Sequence, residues 1–553
     1  MLAKKDEILI LPLGGLEQIG VNSTMIGHNN DWIMVDLGIS FYDKYGIEVL
    51  TPDITFPVSV RKNIRALFIT HAHEDHMGAI PYLWEQLRIP IYATEFPAAV
   101  LLQKFKEYEW KNKVEMHIVK QNEPFNVGEF EIEYIPLAHS TIGSSGIYIK
   151  TASGNIFCTG DWKIDEKPLL GDKIDVKKME KIGKTGVDCL LCDSTNILVN
   201  ENIGSETDVR NAIVKIFKEN KAKRITVTCF ASNLTRMESV FKAARDSGRK
   251  VAIIGRSMHK MCEAISKTAY YTNDFKNGIS LLVNEREAVD MPFEKVVFLC
   301  TGSQGESRSA LFKIARGENQ TIKFGKHDLV VFSSKVIPGN ELVIRNLQNL
   351  LVKKNVEIIT TDIEANIHVS GHPNREDIAM MYKWLKPRSL IPIHGDTYML
   401  YAHEKFARER GITERIIAES GDVISLKAGK LNKIGKKTTG INCIDGNYII
   451  PLNSPFIKER ADMACNGHIS VSFVISSRDG TLSGSPDVVI DGIYKDPETK
   501  LEMLIYQAVS NDVKKNHSGV TENLKNEIKD SVRRIFSKYH DKKPIVSVHI
   551  HVC

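Results

Sequence analysis

The chain has 553 residues, a length that predicts about three domains rather than one core. Its hydrophobic content of 42% and charged content of 25% are typical of a soluble globular protein. The net charge of +5 is small for this length, so it permits a local basic groove for a polyanion without requiring one.

Cysteine usage and apolar runs predict the compartment. Nine cysteines, an odd number spread over the chain, argue against a disulfide framework and indicate a reducing environment. The apolar stretch at residues 8–13 is too short for a signal peptide, and no run approaches the ~18 apolar residues of a membrane span. We therefore expect a cytoplasmic protein that does not cross a membrane.

Short apolar runs alternate with turns from residue 8 to residue 40, a pattern that predicts strands of a mostly antiparallel sheet. Asp36 ends the last of these runs, close to Gly38. A carboxylate in this position can brace a histidine ligand from behind. It can equally be the ordinary aspartate of a turn that ends a strand, and the sequence alone favours neither interpretation.

The most informative stretch is Thr70-His71-Ala72-His73-Glu74-Asp75-His76, which directly follows the apolar run Ala66-Leu67-Phe68-Ile69. A loop that leaves a strand lets nearby side chains converge on one point, and imidazole with carboxylate is the ligand set of zinc and similar ions. The alternative is a polar turn rich in histidine. Because four ligand-type residues rarely coincide at this spacing, the sequence predicts a metal site.

Further along the chain, helical spacing at residues 79–87 and 98–110 is followed by strands that end near His139 and Asp161. Alone, each of these two would be an ordinary loop residue. Together with the cluster they complete a dinuclear set, because one carboxylate can bridge two cations. Cys189 and Cys192 lie three apart in the next strand, on opposite faces, so we expect core packing rather than a shared metal.

From residue 206 to about 355, helices alternate with strands, which predicts a separate unit with a parallel sheet. Polar turns at Phe230-Ala231-Ser232-Asn233 and Thr301-Gly302-Ser303-Gln304-Gly305-Glu306 are candidates for phosphate contacts or ordinary turns. The stretch His368-Val369-Ser370-Gly371-His372 carries donors suited to a phosphate, and His394 again follows an apolar strand. A histidine just past such a strand thus recurs at 71, 139, 372 and 394.

We expect a linker at residues 441–460 and a small α/β domain at 461–553, read as two strands, a helix, a second helix from Val520 to Lys538, and a last strand. His549 and His551 share one face of the last strand. They could bind a metal, but the polar face of an edge strand is the better account.

These motifs resemble those of the metallo-β-lactamase superfamily, and among its members the nucleic-acid-directed β-CASP branch and the bacterial ribonuclease J family. The similarity covers nearly the whole chain and includes Leu13-Gly14-Gly15-Leu16-Glu17-Gln18-Ile19-Gly20 and Cys192-Asp193-Ser194-Thr195-Asn196. It implies an αββα metallo-β-lactamase sandwich at 1–205 and 356–440, an inserted β-CASP α/β domain at 206–355, and a small carboxyl-terminal α/β domain.

The resemblance also implies site residues. His71, His73 and His139 would hold one zinc ion, Asp75, His76 and His394 the other, and Asp161 would bridge them, with manganese or magnesium as alternatives. His372 and Asp193 would be catalytic. Substrate phosphate would contact a further group: His368, Ser370, Gly371, His372, Ser232 and Asn233. A calcium site would map to Gly46, Glu48 and Asp445, although Glu48 stands where relatives use aspartate.

The implied activity is hydrolysis of single-stranded RNA, as a 5′→3′ exonuclease that prefers 5′-monophosphate ends and also cuts internally, in RNA maturation and decay. Homodimers or homotetramers and other RNA-decay proteins are the implied partners. One alternative is a DNA-directed nuclease, which would need no 2′-OH. A scaffold subunit would be expected to lose ligands that this chain keeps. A small-molecule hydrolase would leave the inserted unit unexplained.

Overall fold

The computed structural model describes residues 6–201, 203–337, 339–494, 496, 499–515 and 522–553. The chain divides into two compact units. The first comprises Met1–Ser40 and Leu50–Ile441, and the second comprises Phe41–Val49 and Asn442–Cys553. None of the helices within these described ranges is long and apolar enough to cross a bilayer. Each of the nine cysteines, all of them in described positions, is a free thiol.

Two sheets face each other in the first unit. The first has, in spatial order, Lys430–Lys436, Asp422–Lys427, Ile8–Gly14, Ser23–His28, Asp31–Val35, Ile64–Phe68, Ile91–Ala93 and Met116–Ile118. The second has Phe125–Val127, Phe130–Pro136, Ser145–Thr151, Gly154–Cys158, Cys189–Asp193, Ser389–Ile393 and Glu414–Arg415. In the first sheet, Asp31–Val35 pairs antiparallel with Ser23–His28 and parallel with Ile64–Phe68. In the second sheet, Gly154–Cys158 pairs antiparallel with Ser145–Thr151 and parallel with Cys189–Asp193. The strands predicted at residues 8–40 do pair antiparallel.

The apolar core lies between these sheets because alternate strand residues face the same side. Ile10, Phe68 and Tyr134 belong to this core, and Cys189 joins them. Cys192 instead packs in a second cluster beneath outer helices, which confirms that the two thiols face opposite sides. The helices of the αββα layers and their short companions are Thr55–Ser59, Glu74–Met77, Ile80–Leu87, Glu95–Phe105, Val176–Thr185, Arg375–Leu385 and Thr397–Glu409. The predicted sandwich is confirmed.

The inserted segment forms a five-stranded sheet among its described residues. Its order is Lys250–Ile254, Val296–Cys300, Arg224–Thr228, Asp328–Phe332 and Glu357–Ile359, and every pair is parallel, as predicted. Its helices are Glu206–Glu219, Leu234–Asp246, Arg256–Ile265, Asn273–Ile279, Glu285–Asp290, Ala310–Arg316 and Glu341–Val352. The first begins at a capping box, in which Ser205 accepts from the Thr207 N–H and Asp208 accepts from the Ser205 N–H.

The second unit holds two smaller sheets. One consists of Tyr448–Pro451, Ile441–Asp445, Ile47–Pro52 and Ser40–Lys44, the other of Asp487–Asp491, His468–Ile475 and Ile545–Val552. Its helices are Pro455–Asn466, Leu501–Lys515 and Glu522–Phe536. Residues 441–460, expected as a linker, thus form two paired strands and the start of a helix. Ile545–Val552 is an edge strand, as predicted, and the predicted helix start at Val520 lies outside the described residues.

Candidate metal centre and nucleic-acid site

Strand ends bring the candidate ligands together. Asp31–Val35 and Ile64–Phe68 are parallel neighbours in the first sheet, and Gly154–Cys158, Cys189–Asp193 and Ser389–Ile393 are parallel neighbours in the second. Carboxyl ends of parallel strands lie at the same edge of a sheet, so the loops that follow them meet there. These loops carry the histidines at 71, 73, 76 and 394 and the aspartates at 36, 75, 161 and 193.

The first ligand set consists of His71, His73, His139 and Asp161, whose inward atoms all lie within 4.8 Å of one another. The Nδ1 of His73 lies 3.2 Å from His71 Nε2 and 3.0 Å from His139 Nε2. The Oδ2 of Asp161 lies 3.6 and 3.7 Å from those same two Nε2 atoms. Ligands of a tetrahedral zinc ion are roughly 3.4 Å apart, so these separations suit one.

The second ligand set consists of Asp75, His76, Asp161 and His394, again within 4.8 Å of one another. His76 Nε2 lies 3.6 Å from Asp75 Oδ2 and 3.2 Å from Asp161 Oδ1. His394 Nε2 lies 3.1 Å from Asp75 Oδ2, although the two residues are 319 positions apart. The structure therefore brings together all seven residues that the resemblance implied, with Asp161 shared by both sets.

For three of the five imidazoles, an oxygen on the outer side fixes which nitrogen faces inward. Thr70 Oγ1 donates to Asp36 Oδ2 and so accepts from His71 Nδ1, at 2.8 and 2.9 Å. His76 Nδ1 donates to the same Asp36 oxygen at 2.7 Å. Thr195 Oγ1 donates to Asp193 and accepts from His394 Nδ1 at 2.8 Å. Bracing of this kind leaves the unprotonated Nε2 atoms free to bind a metal.

The backbone around Gly371 fixes the imidazole of His139. His139 Nδ1 donates to the Gly371 carbonyl at 2.6 Å, which leaves its Nε2 facing the first ligand set. A Cβ at position 371 would lie 2.7 Å from His139 Cε1, so only glycine allows this approach. His372 follows the short helical turn Ala365–Ile367 and a loop rather than a strand. The expectation of a strand before His372 is therefore wrong, because the chain bends here to present Gly371.

His372 and Asp193 form a third group at the edge of the second ligand set. His372 Nδ1 lies 2.8 Å from Asp193 Oδ2, and both share a 4.8 Å cluster with Asp161 and His394. The His372 side chain is 22% exposed, whereas that of Asp193 is fully buried. Thr195 donates its N–H and its hydroxyl to Asp193 Oδ1. His372 can thus contact a substrate, whereas Asp193 can act only by orienting the His372 ring.

The two ligand sets differ in their electrostatics. Burial, and then the neighbouring imidazoles, lower the pKa of His71 well below its ordinary value. Burial likewise lowers the pKa of His73, to about 4, and that of His139. In the second set burial acts in the same direction, but Asp161, Asp75 and Asp36 outweigh it and raise the pKa of His76. At His394 burial also lowers the pKa, but Asp161, Asp193 and Asp75 outweigh it and raise the pKa to about 10.

The predicted phosphate contacts lie in two places. Asn196 Nδ2 donates to Ser370 Oγ and to the His372 carbonyl, at 2.7 and 3.0 Å, and so shapes the loop that contains both. Ser232 is half-buried and lies just before the helix Leu234–Asp246. Asn233 serves mainly as the N-terminal cap of that helix. The Asn233 side chain accepts from Arg236 N–H and donates to Glu206, which leaves less of it for a substrate.

Sequence reasoning identified His368 but missed the cations whose charge acts on it. His368 is half-buried, and burial and then the cations Arg236, Lys163 and Lys335 lower its pKa. The Lys163 Nζ is buried without a hydrogen bond to any described residue and lies 3.3 Å from Asp165 Oδ2. Lys163 lies two positions after Asp161, which is the one signal that could have drawn attention to it.

The residues implied for calcium do not suit a cation. The guanidinium of Arg460 donates to both carboxylate oxygens of Asp445, at 3.1 and 2.7 Å, and to the carbonyl of Tyr45 at 3.2 Å. Gly46 and Glu48 are exposed beside this pair. A positive charge of the chain itself thus occupies the place expected for the ion, and the function proposed below includes no calcium.

Comparisons with known proteins agree with this architecture. Residues 16–187 match the metallo-beta-lactamase superfamily, and residues 222–351 match the family described as "Ribonuclease J, beta-CASP domain". Residues 355–417 match the "Zn-dependent metallo-hydrolase RNA specificity domain" and residues 455–553 the "Ribonuclease J C-terminal domain". A solved structure from Enterococcus faecalis V583, titled as of unknown function, shares the fold. It is 18% identical, has a TM-score of 0.54, and covers 76% of this chain and all of its own.

Full-length relatives are also similar. Ribonuclease J of Sinorhizobium meliloti is 37% identical over 99% of this chain and 98% of its own length. Ribonuclease J of Helicobacter pylori strain B128 is 31% identical over the whole of this chain and 80% of its own length. Ribonuclease J 1 of Streptococcus pyogenes is 31% identical over 98% and 97%. The chain belongs to the ribonuclease J family and is a metal-dependent ribonuclease.

Proposed function

We propose that the chain is a two-zinc enzyme that hydrolyses single-stranded RNA from the 5′ end, prefers a 5′-monophosphate and also cuts internally. The observation that carries this proposal is the pair of ligand sets that share Asp161, with His372 at their edge. Two divalent ions side by side can hold both the attacking and the leaving oxygen of a phosphodiester.

The donor atoms suit such ions. The Nδ1 of His73 lies 3.2 Å from His71 Nε2 and 3.0 Å from His139 Nε2, so a cation among these three nitrogens would relieve the repulsion of their lone pairs. The Oδ1 of Asp161 is buried and makes no hydrogen bond to a described residue. When bound, the ions would lower the pKa of a water molecule and neutralise charge on the phosphoryl oxygens. Zinc fits the ligand types, and manganese and magnesium are the alternatives.

His372 would supply the proton that the departing 3′-oxygen needs. Burial opposes its protonation, but Asp193 and Asp161 outweigh burial and raise the pKa of His372. Its imidazole is partly exposed, so it can reach a substrate phosphodiester. Asp193 would orient the His372 ring through the bond between Oδ2 and Nδ1.

A 5′-phosphate would lie beside His368, Ser370, Gly371 and Ser232, with Asn233 at its margin. Three cations act on His368: Arg236, Lys163 and Lys335. Arg236 is paired with Glu206 and Lys163 with Asp165, so the exposed Lys335 is the cation that supports an anion at this place. A triphosphate brings additional charge and bulk to a confined pocket, so we expect it to be a poorer substrate than a monophosphate.

The cellular setting follows from this activity. We propose a cytoplasmic role in RNA maturation and decay, together with other RNA-decay proteins. Self-association through the carboxyl-terminal domain, as a homodimer or homotetramer, is part of the proposal.

The decisive experiment follows single-stranded RNA labelled at either end and carrying a 5′-monophosphate or a 5′-triphosphate. Wild type with zinc or manganese should release mononucleotides from the monophosphate end, and His76→Ala should not. Internal fragments alone would leave only the endonuclease. Equal cutting of DNA would favour a DNA-directed nuclease, and RNA binding without cleavage would favour a scaffold.

A further inference from the structure

Three buried polar side chains form a hydrogen-bonded chain within an otherwise apolar cluster. His403 Nδ1 lies 2.8 Å from Ser194 Oγ, and His403 Nε2 lies 2.7 Å from Tyr382 Oη. Ser194 and His403 are fully buried, and Tyr382 is 7% exposed. Their neighbours include the apolar side chains of Cys192, Ile378, Met399 and Phe406. The fold therefore keeps a polar chain where apolar residues could pack.

The protons of this chain can be assigned. Burial lowers the pKa of His403 to about 4, so its ring is neutral at ordinary pH. The Tyr382 hydroxyl donates to Nε2, Nδ1–H donates to Ser194 Oγ, and the Ser194 hydroxyl faces the Cys192 carbonyl at 3.4 Å. The reverse direction would leave the Tyr382 proton without an acceptor among the described residues. All three members are thus satisfied in one arrangement only.

Each of the three side chains lies on a segment that also supplies one residue of the site: Asp193, His372 or His394. Ser194 follows Asp193 directly. Tyr382 lies on the helix Arg375–Leu385, which begins three residues after His372. His403 lies on the helix Thr397–Glu409, which begins three residues after His394. The chain therefore ties together the three segments that supply Asp193, His372 and His394.

We propose that the hydrogen-bonded chain Ser194–His403–Tyr382 is the positioning element for Asp193, His372 and His394. It would fix the register between the two helices and the strand Cys189–Asp193, and through Asp193 the orientation of His372 and His394. Apolar packing alone tolerates small shifts between helices, whereas hydrogen bonds of 2.7–2.8 Å require one register. The neutral imidazole adds no positive charge behind cation ligands. This inference rests on the ligand sets in the proposed function.

The test compares Tyr382→Phe, His403→Phe and His403→Gln with the control Ile378→Ala. Ile378 is fully buried on the same helix and in the same apolar cluster as Tyr382, but its apolar side chain cannot hydrogen-bond to Ser194, His403 or Tyr382. Zinc content is measured at buffered free zinc, and kcat and KM are measured on 5′-monophosphorylated RNA. The two phenylalanine variants should bind one of the two ions about tenfold more weakly. They should lower kcat more than they raise KM, and His403→Gln should restore part of both losses.

The outcomes separate the positioning role from mere stability. If Tyr382→Phe binds zinc and turns over like Ile378→Ala, the positioning role is wrong. Should His403→Phe not fold, Tyr382→Phe and His403→Gln decide the matter. His394→Ala is assayed alongside. If that variant keeps both ions, the proposed ligand sets fail. If it loses one ion while Tyr382→Phe keeps two with wild-type affinity, only the positioning role fails.

Discussion

The two ligand sets share Asp161 but face different surroundings. The imidazoles of the first set touch no carboxylate closer than 3.6 Å, and burial lowers the pKa of all three. In the second set His76 lies 2.7 Å from Asp36 and His394 lies 3.1 Å from Asp75, and both imidazoles have raised pKa values. Without a metal, the imidazoles of the first set are therefore neutral and those of the second set hold protons.

This difference bears on how each ion would bind. Histidine must be deprotonated at the nitrogen that binds a metal. The first set can accept an ion without releasing a proton, whereas the second exchanges protons for an ion. The carboxylates that stabilise the protonated imidazoles are also the ones that would attract the second cation. We therefore expect two sites of unequal affinity and unequal pH dependence.

The largest expected effect is from Asp161→Asn, because this residue belongs to both ligand sets. Loss of a bridging charge should release both ions and reduce activity by about 10⁴-fold. Metal analysis by mass spectrometry and single-turnover cleavage of RNA measure the two losses. Asp172→Asn, an exposed carboxylate some ten positions later, is the control. Retention of one ion with normal activity would contradict the shared role.

His139→Ala and His394→Ala separate the two sets. Each should leave one ion bound and lower activity by about 10²–10³-fold, because one cation can no longer stabilise the reacting oxygens. Metal content at limiting zinc measures the zinc affinity of the site that each variant retains. His394→Ala should lose the weaker of the two sites. His259→Ala is the control, because the His259 ring is far along the chain and hydrogen-bonds to the Ile253 carbonyl rather than to a ligand set. Identical zinc affinities in the two variants would contradict the expected difference between the two ligand sets.

Asp36→Asn sharpens the comparison from outside the ligand sets. Asp36 accepts from His76, from Thr70 N–H and from the Thr70 hydroxyl, and its φ of 60° suits asparagine. Substitution removes the charge that orients His76, so the second ion should bind about 10–100-fold more weakly. Isothermal titration of chelator-treated protein measures it. Asp31→Asn, a similarly buried carboxylate at the opposite end of the strand that Asp36 follows, should leave both affinities unchanged.

The last prediction concerns the effect of pH on the wild type and needs no substitution. Below the raised pKa values of His76 and His394 the second set holds protons, so lowering the pH strengthens their competition with the ion. Affinity for the second ion should fall roughly tenfold per pH unit for each proton displaced, between pH 8 and 6. The first site should change little there, because the pKa of His73 is about 4. Parallel pH profiles for both ions would contradict the assignment.

The sequence by itself determined whatever depends on local spacing. The cluster from His71 to His76 follows one strand, so its residues converge whatever the rest of the chain does. Strand periodicity placed Cys189 and Cys192 on opposite faces, and alternation of helices and strands predicted the parallel sheet of the inserted domain. The family resemblance added the distant ligands, which local patterns do not relate to one another.

Only the tertiary structure decided which distant groups meet. The order of strands in two sheets brings His394 to Asp75, and a bend in the chain brings the Gly371 carbonyl to His139. The role of Asn233 as a helix cap and the pairing of Arg460 with Asp445 likewise depend on partners that no spacing identifies. The physical reason is that hydrogen bonds and charge pairs depend on position in space, which strand order and helix register set.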